Sequence, residues 1–377
     1  MEINQDKLAD VEAFKLLPGD IDHLFRRSGV AGNKLAMFQY NAEQAAVSSP
    51  SPWFKALAES PLCQKIGRQL LEPDIKIAFR TGGNNAAEDQ YYALLTRADD
   101  SLLAQFVNTE GHLLLLYFPD GASFVAWWAS IYAAAGMENY PPVFEGLKET
   151  EVLVCALHCV DIYRRFYMES MMAYRGLIDL SLPSGDFVQL LKKSLASRDK
   201  RWLLPTMFEL TPGLRGSNIA LKPEHLKQLE QAGFITCKDA LLTLAERSRL
   251  MGTEFISSWM NATGWQASAL VNGEEKSLSR VFLAATAFAN HLISFENAFG
   301  EESRFLHKAV TGRELTGNLL SWLEAVKKVS SGKTTPAPAP ASAADTPQRT
   351  AKPKFCGQCG AEIRPGKKFC TSCGTAL

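Results

Sequence analysis

Residues 74–118 decide the fold of this chain; they read DIKIAFRTGGNNAAEDQYYALLTRADDSLLAQFVNTEGHLLLLYF. Short apolar runs alternate here with turn sequences such as TGGNN and RADDS. Runs of this kind, bounded by Gly, Asn and Asp, are typical of antiparallel strands joined by tight turns. We therefore predict a four-stranded meander with strands at residues 74–80, 90–97, 101–107 and 112–118.

Helical sequences flank this meander on both sides. Residues 52–71, PWFKALAESPLCQKIGRQLL, have a helical pattern and precede the first strand. After the last strand a helix is predicted to begin near Asp120. Its apolar residues recur at helical spacing and form one face: Phe124, Trp127, Trp128 and Ile131.

The same order of elements recurs about 180 residues later in the chain. Residues 224–234 and 237–250 have helical patterns, residues 253–262, 265–271, 279–288 and 291–297 read as strands, and residues 312–328 read as a helix. The two strand blocks, 74–118 and 253–296, are almost equally long. We interpret this as a diverged duplication, hence an α+β fold with two pseudo-repeated halves. Two unrelated α+β halves, or a helix at SRVFLAATAFA, remain alternatives.

The halves, at about residues 1–145 and 177–330, are joined by a segment at about 148–174 with helical spacing. We expect one long helix that packs across both halves. Its last turns are rich in Met and aromatic residues: Phe166, Tyr167, Met168, Met171, Met172 and Tyr174. These side chains either adapt to varied apolar partners or fill the junction between the halves.

Residues 331–353 differ from the rest of the chain because they consist largely of Pro, Ala and small polar residues. Such a composition leaves little to bury, so we expect a flexible linker without a fold of its own. An extended Pro-Ala segment rises about 3.1 Å per residue, which gives this linker a reach of roughly 70 Å. A separate module at 354–377 follows it.

That module contains FCGQCGAEIRPGKKFCTSCG, in which Phe-Cys-x-x-Cys-Gly occurs twice. Two residues between cysteines allow both sulfurs of a tight turn to face one point, and two such turns supply a tetrahedral set of thiolates. The spacing predicts one structural Zn²⁺ per chain, held by Cys356, Cys359, Cys370 and Cys373. Disulfides or a redox Cys-x-x-Cys motif are the alternatives, although neither an adjacent helix and sheet nor an oxidising compartment is indicated. The segment resembles the zinc-ribbon family.

Composition and charge limit the functions of the remaining chain. With 46% hydrophobic and 21% charged residues, the full sequence is typical of a soluble globular protein. Seven of the 40 basic residues and two of the 40 acidic residues lie in residues 331–377. Residues 1–330 therefore carry a net charge of −5. Such a core is a poor match for nucleic acid or an anionic membrane. No apolar window reaches the ~20 residues of a membrane span, and no signal-peptide pattern occurs at the N-terminus. We expect a cytoplasmic protein.

The four remaining cysteines, Cys63, Cys155, Cys159 and Cys237, are predicted to be buried free thiols. Cys155, His158 and Cys159 could share a helix face and bind a metal, but core packing is favoured because no fourth ligand is near. The other histidines have no nucleophile or carboxylate at informative spacing: His23, His112, His225, His291 and His307. Phosphate-loop, zinc-protease and serine-hydrolase motifs do not occur. An enzyme with an active site in the core is therefore the weaker prediction, although it remains an alternative.

With its two pseudo-repeated halves, each a meander with flanking helices, the core also resembles the EspG chaperones of type VII secretion. The resemblance covers most of residues 40–328 and includes ALLTRADDSLLAQFVNTEGHLLLLYF followed by a helix. It implies a cytosolic, non-catalytic protein whose core binds a protein partner such as a helical secretion substrate. The appended zinc ribbon departs from the usual form of that family.

Two kinds of function are thus compatible with the sequence besides an enzyme. The first is a chaperone or adaptor whose core binds a protein and whose tethered ribbon docks to another component. The second is a nucleic-acid-associated protein that uses the basic residues around the ribbon: Arg349, Lys352, Lys354, Arg364, Lys367 and Lys368. Because the tetrathiolate site is itself anionic, these cations mostly offset its charge, and we expect nucleic acid not to be the partner.

Overall fold

The computed structural model describes residues 11–30, 32–38, 49–82, 90–96, 99–107, 111–141, 143–144, 147, 149–176, 180–211, 219, 221–256, 262–296, 304–330, 354–355 and 362–363. The chain divides into two compact units, Met1–Thr334 and Thr335–Leu377. The larger unit holds all the helices of the described residues and twelve of their strands.

The first half of the larger unit contains β1 (Glu12–Leu16), α1 (Asp20–Ser28), α2 (Pro52–Glu59), α3 (Cys63–Leu71), β2 (Ile75–Gly82), β3 (Gln90–Leu95), β4 (Leu102–Val107), β5 (Leu113–Phe118) and α4 (Gly121–Tyr132). The four strands predicted from residues 74–118 are thereby confirmed. Helix α4 begins where the sequence indicated, because the Asp120 carboxylate accepts a hydrogen bond of 2.7 Å from the backbone N–H of Ser123 and so caps the helix. The helical stretch at 52–71 forms two helices rather than one.

The long helix α5 (Thr150–Met172) leads into the second half. That half contains β6 (Ser181–Pro183), α6 (Ser184–Ala196), α7 (Leu203–Leu210), α8 (Pro223–Gln231), β7 (Ile235–Lys238), β8 (Leu241–Leu244), α9 (Glu246–Glu254), β9 (Ala262–Val271), β10 (Glu274–Ala285), β11 (Asn290–Glu296), β12 (Arg304–Val310) and α10 (Gly312–Ser330). Within the described ranges every helix is too short or too polar to cross a membrane.

Nine antiparallel strands form one continuous sheet in the order β1-β5-β4-β3-β2-β9-β10-β11-β12. The two meanders are joined through their first strands, since β2 pairs with β9 from Ile75 opposite Ala269 to Gly82 opposite Ala262. Each meander then extends outward from this joint, and each is followed by a helix, α4 or α10. The predicted α+β fold with two pseudo-repeated halves is therefore confirmed.

Helices α4 and α10 pack against each other and cover one face of the sheet. The core beneath them is strongly aromatic at the joint of the two meanders, where Phe79 of β2 lies opposite Trp265 of β9. Their rings meet edge to face at a centroid distance of 4.8 Å, and Trp128 of α4 meets Trp265 at the same distance. Such edge-to-face pairs add to the stabilisation that burial itself provides.

The opposite face of the sheet is covered by two separate groups of helices. Helices α1, α2 and α3 form one hydrophobic cluster with the strands of the first half, whereas α5 to α9 form another with those of the second. We expected α5 to pack across both halves, but its main packing partners are α7, α8 and α9 of the second half. That expectation was wrong because each half has its own helical layer on this face.

The second meander begins and ends later than predicted. Residues 253–262 were expected to form its first strand, but α9 occupies their start and the first strand is β9. Strand β12, at Arg304–Val310, was missed. The Asn272-Gly273 pair explains the difference, because both residues have positive φ (55° and 78°) and turn β9 directly into β10. SRVFLAATAFA is thus largely strand, not helix.

Residues 237–250 were predicted to be helical and instead form the end of β7, all of β8 and the start of α9. Asp239 and Ala240 both have positive φ, 49° and 64°, and they form the two-residue turn between β7 and β8. The apolar spacing of this segment fits a helix, but the turn conformation and the pairing with β6 produce a small three-stranded sheet.

In the smaller unit, the described residues form a two-stranded hairpin of β13 (Lys354–Phe355) and β14 (Glu362–Ile363). Lys354 lies opposite Ile363, and Phe355 opposite Glu362. The first cysteine pair, at positions 356 and 359, therefore belongs to the segment that connects these two strands.

Candidate functional site

The end of α5 presents a cluster of exposed apolar side chains. Met168, Met171, Met172 and Tyr174 are all exposed, and Met172 and Tyr174 keep 81% and 99% of their accessible surface. Phe166 and Tyr167 are half-buried. The hypothesis that these residues fill the junction between the halves is therefore wrong for the four exposed side chains. We call Met168, Met171, Met172 and Tyr174 the methionine surface.

The backbone holds Tyr174 in a defined orientation at the end of this helix. Its φ of 51° is in the left-handed region, which residues other than Gly, Asn and Asp seldom adopt. The N–H of Tyr174 donates to the carbonyl of Met171 at 3.1 Å, and the N–H of Arg175 donates to that of Ser170 at 2.9 Å. These bonds close the helix terminus and satisfy carbonyls that would otherwise lack partners.

A groove of about 620 Å³ lies about two turns before Met171 on the same helix. Tyr163 lines it, and helical periodicity places Tyr167 and Met171 on the same side of α5 one and two turns later. Its walls come from α9, from residues 137–143 and from the β10–β11 turn. Most of the lining is apolar and includes the exposed side chains Met137, Leu250 and Phe288.

A polar network lies behind one wall of this groove, centred on Glu254. The Tyr140 hydroxyl donates to Glu254 Oε2 at 2.6 Å, and the Thr286 hydroxyl donates to Oε1 at 2.6 Å. His291 Nε2 lies 2.9 Å from Oε1, and His291 Nδ1 lies 3.0 Å from His307 Nε2. His291 therefore bridges Glu254 and His307 through its two ring nitrogens.

Burial and hydrogen bonding shift the pKa values of Glu254, Tyr140 and His307. Burial alone would raise the pKa of Glu254, but hydrogen bonds from His291, Thr286 and Tyr140 bring this pKa below its ordinary value. Burial and then the neighbouring Glu254 carboxylate raise the pKa of Tyr140 well above its usual range. Burial, followed by the nearby His291, lowers the pKa of His307 well below its usual value. At neutral pH the network holds one carboxylate and a neutral His307.

The network fixes the position of one wall of the groove. Only Tyr140 and Glu254 of this set line the groove, and both are already hydrogen-bonded. The described lining has no Cys, Ser or His that could act as a nucleophile or an accessible base. Sequence reasoning treated His291 and His307 as isolated, because strand β12 was missing from the predicted meander. The pairing of β11 with β12 brings the two rings together.

The thiols and histidine of α5 are core residues. Cys155, His158 and Cys159 are buried, and burial raises the pKa of Cys155 to about 12 and that of Cys159 beyond the usual range. A thiol that stays protonated is a poor nucleophile and a poor metal ligand. Cys63 is buried as predicted, whereas Cys237 is exposed. That prediction was wrong because Cys237 lies on the outer end of β7, where only Ile235 is buried.

One further group of ligand-type side chains lies near the start of α5. Single ligand atoms of Glu149, Glu151 and His225 lie within 4.8 Å of one another. Glu149 already pairs with His225 at 3.2 Å and accepts a hydrogen bond from Gln228 at 2.6 Å. Because these groups satisfy one another at a partly exposed position, we assign no metal to them.

The four predicted zinc ligands, Cys356, Cys359, Cys370 and Cys373, lie outside the described residues. Residues 355–377 match the zinc-ribbon domain family. The match supports zinc binding by this segment, and the hairpin of β13 and β14 on either side of the first cysteine pair is consistent with it. No curated protein sequence matches the chain. The match covers only the C-terminal module, so it assigns no family to the nine-stranded core.

Proposed function

We propose that this chain is a non-enzymatic, cytoplasmic chaperone or adaptor. Its core binds a protein partner through the methionine surface and the adjoining groove, and its zinc ribbon docks to another component. The observation that carries the proposal is the exposure of Met168, Met171, Met172 and Tyr174 on a helix whose preceding four turns are mostly buried.

The side-chain chemistry of this surface supports protein binding. Methionine is unbranched and polarisable, so it adapts to apolar partners of varied shape. Tyrosine offers a large contact area at a small cost in conformational entropy, and it is enriched among residues that dominate binding energy. The groove volume of about 620 Å³ is large enough for several side chains of a partner. A partner helix with apolar residues on one face would fit these features, in keeping with the resemblance to EspG chaperones and their secretion substrates.

A triple substitution of the methionine surface tests the proposal. Met168, Met171 and Met172 would all be replaced by Ser in the tagged full-length protein, which is then purified from its own cells. We expect a partner protein that co-purifies with the unchanged chain to be lost. Ile131→Ser is the matched control, because Ile131 is also an exposed apolar side chain but lies on α4. Equal recovery of the partner with both variants would contradict the proposal.

The same purification separates protein binding from binding to nucleic acid. Nucleic acid in the eluate that disappears steeply with added salt would point to phosphate contacts and to the alternative function. A protein partner that is retained at such salt concentrations would support binding through the apolar surface, because burial of apolar area does not depend on counterion release.

For the ribbon we propose one structural Zn²⁺ per chain with the thiolates of Cys356, Cys359, Cys370 and Cys373 as ligands. So small a module gains its folding free energy from the metal, so Cys356→Ser should abolish its fold and its zinc. Elemental analysis of protein purified without chelators should give one zinc per chain and none for the variant. Cys237→Ser is the control, because Cys237 is an exposed cysteine of the core. A chain that contains no zinc would contradict this assignment.

A further inference from the structure

The joint between the two meanders leaves part of the sheet accessible. Along β2, Ile75, Ile77 and Phe79 are buried on the α4–α10 face. The alternate residues Lys76, Ala78 and Arg80 are only partly buried, although α7 packs against both β2 and β9 on the opposite face, over Gly264. We call this partly covered surface of β2 and β9 the seam.

A row of polar side chains crosses the seam. Register places Tyr92 of β3 opposite Ala78 of β2, Ala78 opposite Gln266 of β9, and Gln266 opposite Arg280 of β10. All four lie on the same face, because directly opposed residues of antiparallel strands share a face. The alanine leaves space between Tyr92 and Gln266, and Arg280 is next to Gln266 at about 5 Å between Cβ atoms.

Arg280 has an unusual environment for a charged side chain. Only 8% of its surface is accessible, and none of the residues that the structure describes forms a hydrogen bond or ion pair with its guanidinium. Its Nε is fully buried without an acceptor, and burial lowers the pKa of Arg280. Arginine does not lose its proton in proteins, so a buried guanidinium requires an anionic partner.

Neighbouring atoms in the seam also lack partners within the described part of the chain. Gln266 Oε1 is buried without a donor, and Ser277 Oγ is buried without any hydrogen bond. Ser277 lies on β10 near Arg280, opposite Ser268 of β9. Unmatched donors and an unmatched acceptor thus occur together on two adjacent strands, which is expected when a ligand completes the hydrogen bonds.

The charges around the seam favour an anion. Lys76, Arg80 and Arg280 are basic, whereas Glu275 is acidic and is paired with Lys76 at 2.9 Å. Burial raises the pKa of Tyr92, while the charge of Arg80 acts to lower it and that of Glu275 to raise it. Lys76 and Glu275 offset each other, so the positive charge that we assign to an anion is that of Arg280.

We propose that the seam binds an oxyanion, a carboxylate or phosphate group, with the Arg280 guanidinium as its principal partner. A guanidinium is suited to this role because its planar N–H groups match two oxygens of either anion. A hydrogen-bond donor of the ligand, next to its anionic group, would pair with Gln266 Oε1. The anion belongs either to a free small molecule or to an acidic side chain of a partner. The site is separate from the methionine surface, so it does not depend on the proposed function.

Titration of the full-length protein with inorganic phosphate and with acetate tests this site. Thermal unfolding would be followed at constant ionic strength, with chloride as the balancing ion. A bound anion raises the unfolding temperature in a saturable way, because a ligand that binds only the folded state stabilises it by mass action. A response to phosphate alone indicates a phosphoryl ligand, and a response to acetate alone, or to both, indicates a carboxylate ligand or a general oxyanion site.

Two variants and a control make the test specific. Arg280→Gln should weaken anion binding by roughly tenfold or more, because the charge-assisted hydrogen bonds are lost. Gln266→Glu places a carboxylate opposite Arg280, so it should abolish the response to added anion while the protein stays folded. Arg198→Gln, at an exposed arginine on the segment after α6, should leave the response unchanged. This variant controls for the general effect of removing one positive charge.

Three results would overturn the proposal. The first is an unchanged unfolding temperature of the original protein with either anion. The second is an equal anion response in the Arg280→Gln variant. The third is a normal anion response in Gln266→Glu, which would place the anion away from Arg280. If Arg280→Gln does not fold, Gln266→Glu alone decides, because it retains the guanidinium.

Discussion

At the scale of single residues, Tyr174 combines an exposed aromatic ring with an unfavourable backbone conformation. The left-handed conformation costs an L-residue about 1–2 kcal/mol, whereas glycine adopts it readily. Tyr174→Gly should therefore stabilise the core by roughly 0.5–1 kcal/mol, after the larger entropy of a glycine in the unfolded chain is deducted. Urea unfolding measures this change. The same variant should bind the partner less tightly, because it loses the most exposed aromatic ring of the methionine surface.

A structural role for Tyr174 predicts the opposite outcome. If the ring stabilised the fold, Tyr174→Gly would lower the urea midpoint. The variant Tyr174→Phe separates the two contributions, because it keeps the ring and the backbone conformation. It should match the unchanged protein in stability and should retain binding unless the hydroxyl contacts the partner.

His158 gives the core a dependence on pH. It is buried against the ring of Phe187 at a centroid distance of 5.0 Å, and burial lowers its pKa to about 3 from 6.5. Between these values the unfolded chain binds a proton that the folded chain does not. The contribution of His158 to stability is therefore fully present above pH 6.5 and falls below it by about 1.4 kcal/mol per pH unit. The lowered pKa of His307 acts in the same direction.

His158→Phe tests the contribution of this one histidine. A cavity of about 30 Å³ beside His158 provides room for the slightly larger ring. We expect the slope of stability against pH between 4.5 and 6 to decrease by about 1.4 kcal/mol per unit, measured by urea unfolding at several pH values. His307 maintains a residual slope. An unchanged slope would show that His158 is protonated in the folded state.

At the scale of elements, the contact between α5 and α9 depends on a glycine. A Cβ atom added to Gly252 of α9 would lie 2.2 Å from Cδ1 of Tyr163, so the tyrosine would have to move. Gly252→Ala should destabilise the core by about 1–3 kcal/mol despite the better helix propensity of alanine. Because Tyr163 lines the groove, partner binding should weaken as well. Urea unfolding and a binding titration measure the two effects.

Gly317→Ala is the matched control for this prediction. Gly317 is also helical, in α10, but a Cβ atom there meets nothing within 4 Å. Alanine should therefore stabilise the protein by up to about 1 kcal/mol through helix propensity alone. Equal stabilisation by both substitutions would show that the α5–α9 contact is looser than the structure indicates.

Turn chemistry explains why one meander was predicted well and the other poorly. In residues 74–118 the turns are long and polar, so the strand boundaries are visible in the sequence. In the second half, Asn272-Gly273 is a typical hairpin dipeptide, but it lies between strands of ten and twelve residues that the prediction had divided differently. Asp239-Ala240 forms a comparable turn with no glycine, and no local signal marks it.

Tertiary contacts explain the rest of what the sequence did not reveal. Glu254, His291 and His307 belong to three elements that meet only when β12 completes the sheet. The seam has the same origin, since Gln266 and Arg280 become neighbours through strand register rather than through spacing. By contrast, the residues of the methionine surface were singled out from the sequence, because they occur on consecutive turns of one helix, although their exposure was left open there. Sequence patterns were thus sufficient only for sites whose residues belong to a single helix or strand.

At the scale of the whole molecule, the two compact units suggest that the core and the ribbon bind different partners. The larger unit, Met1–Thr334, contains the sheet, the three hydrophobic clusters and the methionine surface. Because the core of this unit is complete without the smaller one, deletion of residues 331–377 should leave a folded protein with an unchanged unfolding temperature. We expect this truncated chain to bind its protein partner with unchanged affinity.

The linker determines how the two binding activities combine. A tether makes the second binding event intramolecular, and the benefit is lost when the tether cannot span the two sites. Shortening residues 331–353 to about five should therefore reduce recruitment to the larger assembly as strongly as deletion of the ribbon does, while a scrambled linker of full length should act like the original. Co-purification of the assembly measures recruitment, and the amount of partner bound per chain serves as the internal control. Loss of partner binding by the truncated chain, or its aggregation, would show that core and ribbon form one functional unit.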